Sequence, residues 1–202
     1  GFFENQSLKA SDLLYSEQEA SSEIVIITVD DESITKIGRW PWDRDVYAEV
    51  LPKLKDAKVV GVDISFSEPS DEDDVLSNTL ATLDNVILAA ECIEFSGNDC
   101  NKWLLPVFNN SFAAANIYVD NGVARSVPGE INGVKSLSQA VSEKYLNSKL
   151  ELKEKNYVYF HRGYLKIPFY KLLEQDFNKS LVEDKIVLIG ATADDLHDDK
   201  IT

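Results

Sequence analysis

Four short stretches of the chain are almost entirely apolar, and polar segments separate them. They cover residues 24–29, 58–64, 86–90 and 185–190. A continuous apolar run of this length, rich in β-branched residues, is typical of a strand buried on both faces, as in a parallel sheet. The pattern therefore predicts four buried strands in one mainly parallel sheet.

Between these runs, apolar positions recur at spacings of three and four residues, as in amphipathic helices. One predicted helix follows Asp43, which can cap it, and must accommodate Pro52 as a kink or on its solvent side. Another begins at Ser70, where a hydroxyl and the acids that follow suit a helix N-terminus. The predicted buried positions are Val46, Tyr47, Val50, Leu51 and Leu54 in the first helix, Val75, Leu76, Thr79, Leu80 and Leu83 in the second, and Leu137, Ala140, Val141 and Tyr145 in a third. The alternation predicts an α/β fold, a layered sheet of mainly parallel buried strands plus hairpins, with helices packed on the faces.

The second half of the chain carries turn signals. Asn121-Gly122 predicts a hairpin within residues 116–127. Arg162-Gly163 splits residues 157–167 in a way that predicts a second hairpin, and Pro168 opens a short helix. The sequence contains no repeat or low-complexity linker, so a single domain is expected.

Composition narrows the possible functions. The 202 residues are 44% hydrophobic, which is enough for one well-packed core and excludes wholesale disorder. Acidic residues outnumber basic ones 35 to 20, giving a net charge of −15, so nucleic acid is not an expected partner. No stretch reaches the roughly 18 apolar residues of a membrane span.

The N-terminal region has features of its own. The chain contains no Met and begins Gly1-Phe2-Phe3, from which we expect a piece of a longer protein. Residues 5–18 place a few leucines among polar residues and predict a helix with a narrow apolar stripe. This helix is either an ordinary N-terminal helix or the continuation of a hydrophobic segment that has been removed.

Carboxylates follow two of the predicted strands. Asp30 and Asp31 come after the first strand, and Asp63 lies at the end of the second. In an open α/β sheet the carboxyl ends of the strands form the ligand crevice, where carboxylates can bind a cation or a polar ligand. An Asp directly after a strand can equally cap the following helix. Both interpretations stand at this stage.

Aromatic and charged motifs come after the same strands. The first strand is followed by Gly38-Arg39-Trp40-Pro41-Trp42 and Arg44, and the second by Phe66-Ser67-Glu68-Pro69. Two indoles that bracket a proline form a stiff surface, which is either a packed lid over the sheet or a platform for a ligand.

Other chemistry is weakly supported. Cys92 and Cys100 enclose a turn-forming segment, so they form a disulfide in an oxidising compartment or remain two buried thiols in a reducing one. A zinc site lacks any ligand-pair spacing, and His161 and His197 have no nucleophile beside them that would suggest a standard catalytic triad. The acidic tail 194–199 lacks calcium-loop spacing. No cofactor is predicted.

The order of these motifs closely resembles the second type of CHASE domain, the cyclase- and histidine-kinase-associated sensing extracellular domain. The resemblance spans about residues 8–195. Its motifs are residues 24–31, Ser33, Gly38-Arg39-Trp40-Pro41-Trp42-x-Arg44, Val59–Asp63, Phe66-Ser67-Glu68-Pro69, residues 120–125 with Pro128, and residues 185–191.

The resemblance implies a periplasmic or extracellular sensor at the cell inner membrane, held by flanking membrane helices. Their output would be a cytoplasmic adenylate or diguanylate cyclase, a histidine kinase or a Ser/Thr kinase. Residues 1–22 would then be a juxtamembrane helix and residues 23–202 a single sensor domain without enzymatic activity. In that compartment a Cys92–Cys100 disulfide is expected.

The resemblance carries no established ligand set. We expect a small-molecule or ionic stimulus, membrane contact through flanking helices and a possible homodimer. The candidate ligand-binding residues are Asp30, Asp31, Arg39, Trp40, Trp42, Arg44, Asp63, Glu68 and Arg125. Two alternatives remain: a metal-dependent periplasmic hydrolase that uses the strand-end carboxylates, and a dimerisation module that binds no ligand.

Overall fold

The computed structural model describes residues 18–120, 123–158 and 161–193. Its main sheet has the strand order β13-β2-β14-β3-β4, in which every neighbouring pair is parallel. The short β6 pairs with β4 in parallel, and β5 pairs with the far half of β4 in antiparallel orientation. The strands are β1 Gln18–Glu19, β2 Ile24–Val29, β3 Val59–Asp63, β4 Val86–Ser96, β5 Asp99–Leu104, β6 Phe112–Ala114, β7 Tyr118–Asp120, β8 Val123–Pro128, β9 Glu130–Ile131, β10 Val134–Lys135, β11 Lys155–Tyr157, β12 His161–Arg162, β13 Leu165–Pro168 and β14 Ile186–Ala191.

The four predicted buried strands are confirmed as β2, β14, β3 and the first half of β4. They are adjacent in the sheet, and nearly all their residues are buried or partly buried whichever face they occupy, so their side chains are apolar in both directions. β14 is the last strand in the chain, yet it lies between β2 and β3 and is hydrogen-bonded to both.

The described residues form four α-helices and three short 3-10 helices. The α-helices are α1 Asp31–Ile37, α2 Arg44–Val50, α3 Asp73–Leu80 and α4 Leu137–Leu146, and the 3-10 helices are Leu51–Leu54, Phe169–Leu173 and Lys179–Leu181. The large core cluster includes residues of α2 and α3, whereas α4 packs over Val59 and Ile87 in a separate cluster. Gly61 of β3 faces α4, and a Cβ there would lie 3.1 Å from the side chain of Val141, so a glycine lets this helix approach the sheet.

The predicted details of the helices are partly confirmed and partly corrected. α2 passes into the 3-10 helix at Leu51, and Pro52 is exposed there, so of its two predicted placements the one on the solvent side is confirmed. Asp43 precedes α2, but its side chain makes no capping hydrogen bond. α3 begins at Asp73 instead of Ser70, and Val75 is half-exposed. The predicted short helix after Pro168 is present.

Two further predictions fail in part. The predicted hairpin within residues 157–167 is wrong, because β13 leaves its sequence neighbours and pairs in parallel with β2. The N-terminal helix lies mostly outside the described residues, but Gln18–Glu19 is extended and pairs with β12, so the helix prediction is wrong there. β7 and β8 form the other predicted hairpin, whose tip at Asn121-Gly122 is outside the described residues, as is the acidic tail from Asp194.

A disulfide and two asparagine side chains hold the β4–β5 hairpin. The Cys92–Cys100 disulfide joins its two strands and packs against Ile131 and Ala114. The side-chain amide of Asn116 bonds the backbone N–H and C=O of Cys92, each at 2.9 Å. The amide of Asn132 does the same for Cys100, at 2.9 and 3.4 Å. Each cysteine is thereby fixed from the side opposite its strand partner.

Candidate functional site at the carboxyl edge of the sheet

The three strand-end aspartates lie along one edge of the main sheet. β2, β14 and β3 are parallel neighbours, with Val29 in register with Ala191 and Gly190 in register with Asp63. Asp30 and Asp63 therefore stand on the two sides of β14, about 10 Å apart across the sheet at two strand spacings and displaced by two residues along the strands. The expectation that they share the carboxyl edge is correct.

The carboxylate of Asp30 is hydrogen-bonded to neighbouring residues of the chain. Its Oδ1 accepts a hydrogen bond from the N–H of Ser33 at 2.8 Å, and its Oδ2 accepts one from Oγ1 of Thr28 at 3.1 Å. The first of these bonds caps α1, which satisfies an N–H that the helix itself cannot pair. Asp31, the first residue of α1, is exposed. Of the two interpretations open for Asp30, helix capping is the one that the geometry shows.

The end of β3 presents a more accessible polar group. Asp63 is exposed, and the hydroxyls of Ser65 and Ser67 beyond it lie 3.0 Å apart. Within the described ranges, no group of three or more His, Cys, Asp or Glu residues is arranged to hold a metal ion. Asp30 and Asp63 thus share an edge of the sheet and, among the described residues, belong to no such group.

The aromatic motif after α1 mainly packs. Trp42 is only 5% exposed, its ring centroid lies 4.8 Å from that of Phe169, and its Nε1–H donates to the carbonyl of Gly38 at 2.9 Å. Trp40 meets Trp42 edge-on at 4.9 Å across a cis Trp40-Pro41 bond and is partly exposed. Of the two interpretations left open, the packed lid fits Trp42, and Trp40 forms its outer side.

Gly38 and Arg39 complete the motif. Gly38 ends α1 with φ of +127°, a backbone conformation that side chains rarely tolerate, so this position requires glycine. The Arg39 side chain that follows is exposed.

Arg44 ties two helices and one loop together. Its Nε donates to Oδ1 of Asp73 at 3.0 Å, its Nη2 donates to the carbonyl of Glu68 at 2.7 Å, and its guanidinium stacks on Phe66 with 4.9 Å to the ring centroid. Burial acts to raise the pKa of Asp73, but hydrogen bonds from Ser70 and Arg44 outweigh it and lower that pKa. Arg44 therefore holds α2, α3 and the 66–69 loop in place.

The two remaining candidates contribute differently. Glu68 offers its backbone carbonyl to Arg44, and its side chain is exposed. Arg125 lies on β8, outside the main sheet, and its side chain is outside the described part of the structure.

A polar cluster that sequence reasoning missed lies behind this edge. Thr28 and Ser33 are 4% and 0% exposed, and the Oγ of Ser33 donates to the carbonyl of Thr28 at 3.4 Å while accepting from the N–H of Tyr170 at 3.3 Å. We call Thr28, Asp30 and Ser33 the polar knot. Ser33 belongs to the motif set, but Thr28 sits in an apolar strand and Tyr170 is distant in sequence. No local signal pointed to their contact.

Tyr170 also contacts the exposed side of α1. Its hydroxyl donates to Oε1 of Glu32 at 2.9 Å, and the ammonium of Lys36 lies 3.7 Å from its ring centroid. Hydrogen bonds from Lys36 and Tyr170 lower the pKa of Glu32, and those with Tyr170 and Glu32 raise the pKa of Lys36. α1 is therefore fastened to the segment that follows β13.

The structure is thus an α/β domain. Polar side chains line the carboxyl edge of its parallel sheet, and beside them lies an aromatic cluster held by Arg44. A family model described as the CHASE2 domain matches residues 1–202, so the chain belongs to the CHASE2 family. CHASE2 domains are extracellular and sensory, not catalytic. No match was found among curated proteins or among solved structures. Within the described residues, no helix is long and apolar enough to cross a membrane.

Proposed function

We propose that this chain is the extracytoplasmic input domain of a membrane-bound signalling protein at the cell inner membrane. The match to the CHASE2 family over residues 1–202 is the observation that carries the proposal. The output domain is a cytoplasmic adenylate or diguanylate cyclase, a histidine kinase or a Ser/Thr kinase. A stimulus shifts the domain between two arrangements, and it can do so only through different affinities for the two.

The proposal assigns roles along the chain. Residues 1–22 form the juxtamembrane connection to a preceding membrane helix, and residues 23–202 form the sensor. The Cys92–Cys100 disulfide supports an oxidising compartment, because such bonds are rare in the cytosol. Two chains pair as a homodimer to align their output domains, and nucleic acid is not a partner of so acidic a surface.

The stimulus is a small molecule or ion that binds at the carboxyl edge. Trp42 is buried and Asp30 and Arg44 are only partly exposed, so the more exposed side chains of that region are the better candidates for direct contact with a ligand from solvent. These are Asp31, Arg39, Asp63 and Glu68. Arg125 remains a candidate from the separate β7–β8–β11 sheet.

A topology experiment tests the cellular assignment. The gene product, from its natural start to Thr202, is fused at that residue to alkaline phosphatase, which is active only outside the cytoplasm. In a parallel strain it is fused to a fluorescent protein that matures only inside the cytoplasm. We expect active phosphatase and no fluorescence. The reverse pattern would refute the extracytoplasmic assignment.

A binding experiment tests the carboxyl edge. Metabolites and divalent cations are screened by thermal shift, and each hit is titrated calorimetrically into wild type, Asp63→Ala and Asp84→Ala. The control Asp84 is also exposed, but it precedes β4 at the opposite edge of the sheet. We expect binding to be lost in Asp63→Ala alone. Unchanged binding to a folded Asp63→Ala variant would exclude this site.

A further inference from the structure

The chain enters the main sheet at the amino ends of its parallel strands and leaves it at their carboxyl ends. β2 and β14 run in parallel over their full length, from the pair Ile24 and Ile186 to the pair Val29 and Ala191. The chain therefore enters β2 at the amino edge and leaves β14 at the carboxyl edge. The C-terminal connection thus starts beside Asp30 and Asp63, whereas the N-terminal connection starts about 20 Å away along six residues of strand.

The departing chain is hydrogen-bonded to the last residue of β2. The carbonyl of Val29 accepts from the N–H groups of Thr192 and Ala193, at 2.9 and 3.1 Å. Val29 is fully buried and Ala193 is 3% exposed, so both bonds are shielded from water. The position of the Val29 carbonyl therefore sets the path of the chain as it leaves the sheet.

The polar knot fixes the residues on both sides of that carbonyl. Thr28 donates to Asp30, and Asp30 accepts from the N–H of Ser33, so residues 28–33 are cross-connected around Val29. The same Oγ1 lies 3.5 Å from the carbonyl of Ile167 on β13, a second acceptor that shares its single hydrogen. Because unpaired buried polar groups are costly, this knot moves as a unit or opens as a unit.

α1 connects the knot to the exposed part of the edge. It begins at the knot and ends at Gly38, whose N–H donates to the carbonyl of Ile34 and whose carbonyl accepts from Trp42. The helix is only seven residues long and is held at both ends. A displacement at Arg39 or Trp40 is therefore carried to Asp30 by a short, fastened element.

From these contacts we infer that α1 couples the carboxyl-edge site to the departing C-terminal chain, with Asp30 as the positioning residue. A ligand that shifts α1 changes the Asp30 cap and, through the Val29 carbonyl, the hydrogen bonds to Thr192 and Ala193. This inference rests on the proposed sensory function, since it describes how a change at that site reaches the rest of the protein.

Amide hydrogen exchange of the 202-residue chain, measured residue by residue with NMR, tests the coupling. Asp30→Ala is compared with Asp31→Ala, an adjacent variant with the same charge change at an exposed position. We expect Asp30→Ala to accelerate exchange at Ser33, Thr192 and Ala193 by about fivefold, the factor expected for one lost helix cap. Exchange at Ile189, in the middle of β14, reports global unfolding and serves as the reference.

Two further variants protect the experiment from misinterpretation. Asp30→Asn retains an acceptor oxygen and should restore the protection of Thr192 and Ala193. Thr28→Val removes one bond of the polar knot with little change in shape and should accelerate exchange at the same amides. It takes the place of Asp30→Ala if that variant does not fold. The coupling is refuted if Ser33 accelerates while Thr192 and Ala193 change no more than Ile189, or if Asp31→Ala has the same effect. Either result would leave the outcomes of the topology and ligand-binding experiments unaffected.

Discussion

At the scale of single residues, neighbouring positions of one motif have opposite roles. In Gly38-Arg39-Trp40-Pro41-Trp42, the last indole is inside the core and the arginine is at the surface. Trp42 contacts Phe169 and Tyr47 at a tilt, with ring centroids 4.8 and 6.4 Å away, and aromatic contacts of this kind add to the stability that burial provides. The motif is therefore partly a folding determinant.

Truncation of Trp42 tests this division. Trp42→Ala should lower the free energy of unfolding by about 3–5 kcal/mol, because it removes a large buried side chain and leaves a cavity. Trp42→Phe should cost less, since it keeps a ring and loses the bond to Gly38. Arg39→Ala, at an exposed position, should stay within about 0.5 kcal/mol of wild type. Urea denaturation measures all three, and equal losses for Trp42→Ala and Arg39→Ala would contradict the assignment.

At the scale of elements, the strands were more predictable than what surrounds them. β3 is buried on both faces, and β2 and β14 are mostly buried on one face and at least partly buried on the other, so each strand is a nearly continuous apolar run. Hydrophobic spacing did not predict α1, because only Ile34 and Ile37 of its seven residues are apolar and aliphatic, and only the possible cap at Asp30 pointed to a helix there. β13 was mistaken for half of a hairpin, because its local turn signal is real while its partner β2 is more than 130 residues away.

The candidate site shows the same limit. The sequence placed Asp30 and Asp63 on one edge, because strand ends are visible in the pattern. It could not show that the Asp30 carboxylate bonds Ser33 and Thr28, or that Arg44 bonds Asp73, because either side chain could equally have faced solvent. Residue type suggested ligand chemistry, and the geometry assigned capping and packing.

The disulfide hairpin permits a prediction about β4 and β5. Removing the bond with Cys92→Ala/Cys100→Ala should lower the free energy of unfolding by about 2.5 kcal/mol, because the unfolded chain regains the freedom of a short loop. For a chain of this size the midpoint of thermal unfolding should fall by roughly 5–10 °C. Calorimetry with and without reductant is the measurement: reductant should destabilise wild type and leave the double variant unchanged. A wild type insensitive to complete reduction would contradict the prediction.

The α4 helix carries a carboxylate that predicts a pH dependence. Glu143 accepts hydrogen bonds from Lys135, from Gln139 and from the backbone N–H of Leu150, and these lower its pKa to about 2. The unfolded chain, with an ordinary Glu pKa near 4.5, binds the proton first as pH falls. Glu143 therefore stabilises the folded state above pH 4.5, and this contribution is lost between about pH 4.5 and 2.

Urea denaturation as a function of pH tests the role of Glu143. Glu143→Gln should be less stable than wild type at pH 7 and should lose less stability between pH 4.5 and 2. Glu151→Gln also removes one negative charge, at an exposed position between α4 and β11, and should keep the wild-type profile. Superimposable profiles for wild type and Glu143→Gln would show that the carboxylate contributes no pH dependence.

At the scale of the whole molecule, the net charge of −15 sets repulsion among the excess carboxylates against the attraction within individual ion pairs. Exposed ion pairs such as Lys36–Glu32 and Lys102–Glu94 each contribute about 0–1 kcal/mol, and salt weakens them. Salt also screens the mutual repulsion of the excess carboxylates, which acts across the entire surface. Repulsion is the larger sum in a chain with 35 acidic and 20 basic residues, so screening should stabilise the folded state.

Thermal unfolding at two NaCl concentrations decides between these effects. Raising the salt from about 10 to about 150 mM shortens the Debye length from roughly 30 to roughly 8 Å, and the unfolding midpoint should rise. The triple variant Glu91→Gln/Glu130→Gln/Glu151→Gln changes three exposed positions, which reduces the charge from −15 to −12, and its midpoint should rise less. A midpoint that falls with salt in both proteins would mean that ion pairs outweigh repulsion. The same screening would ease the approach of two such chains, so the proposed homodimer should form more readily at the higher salt concentration.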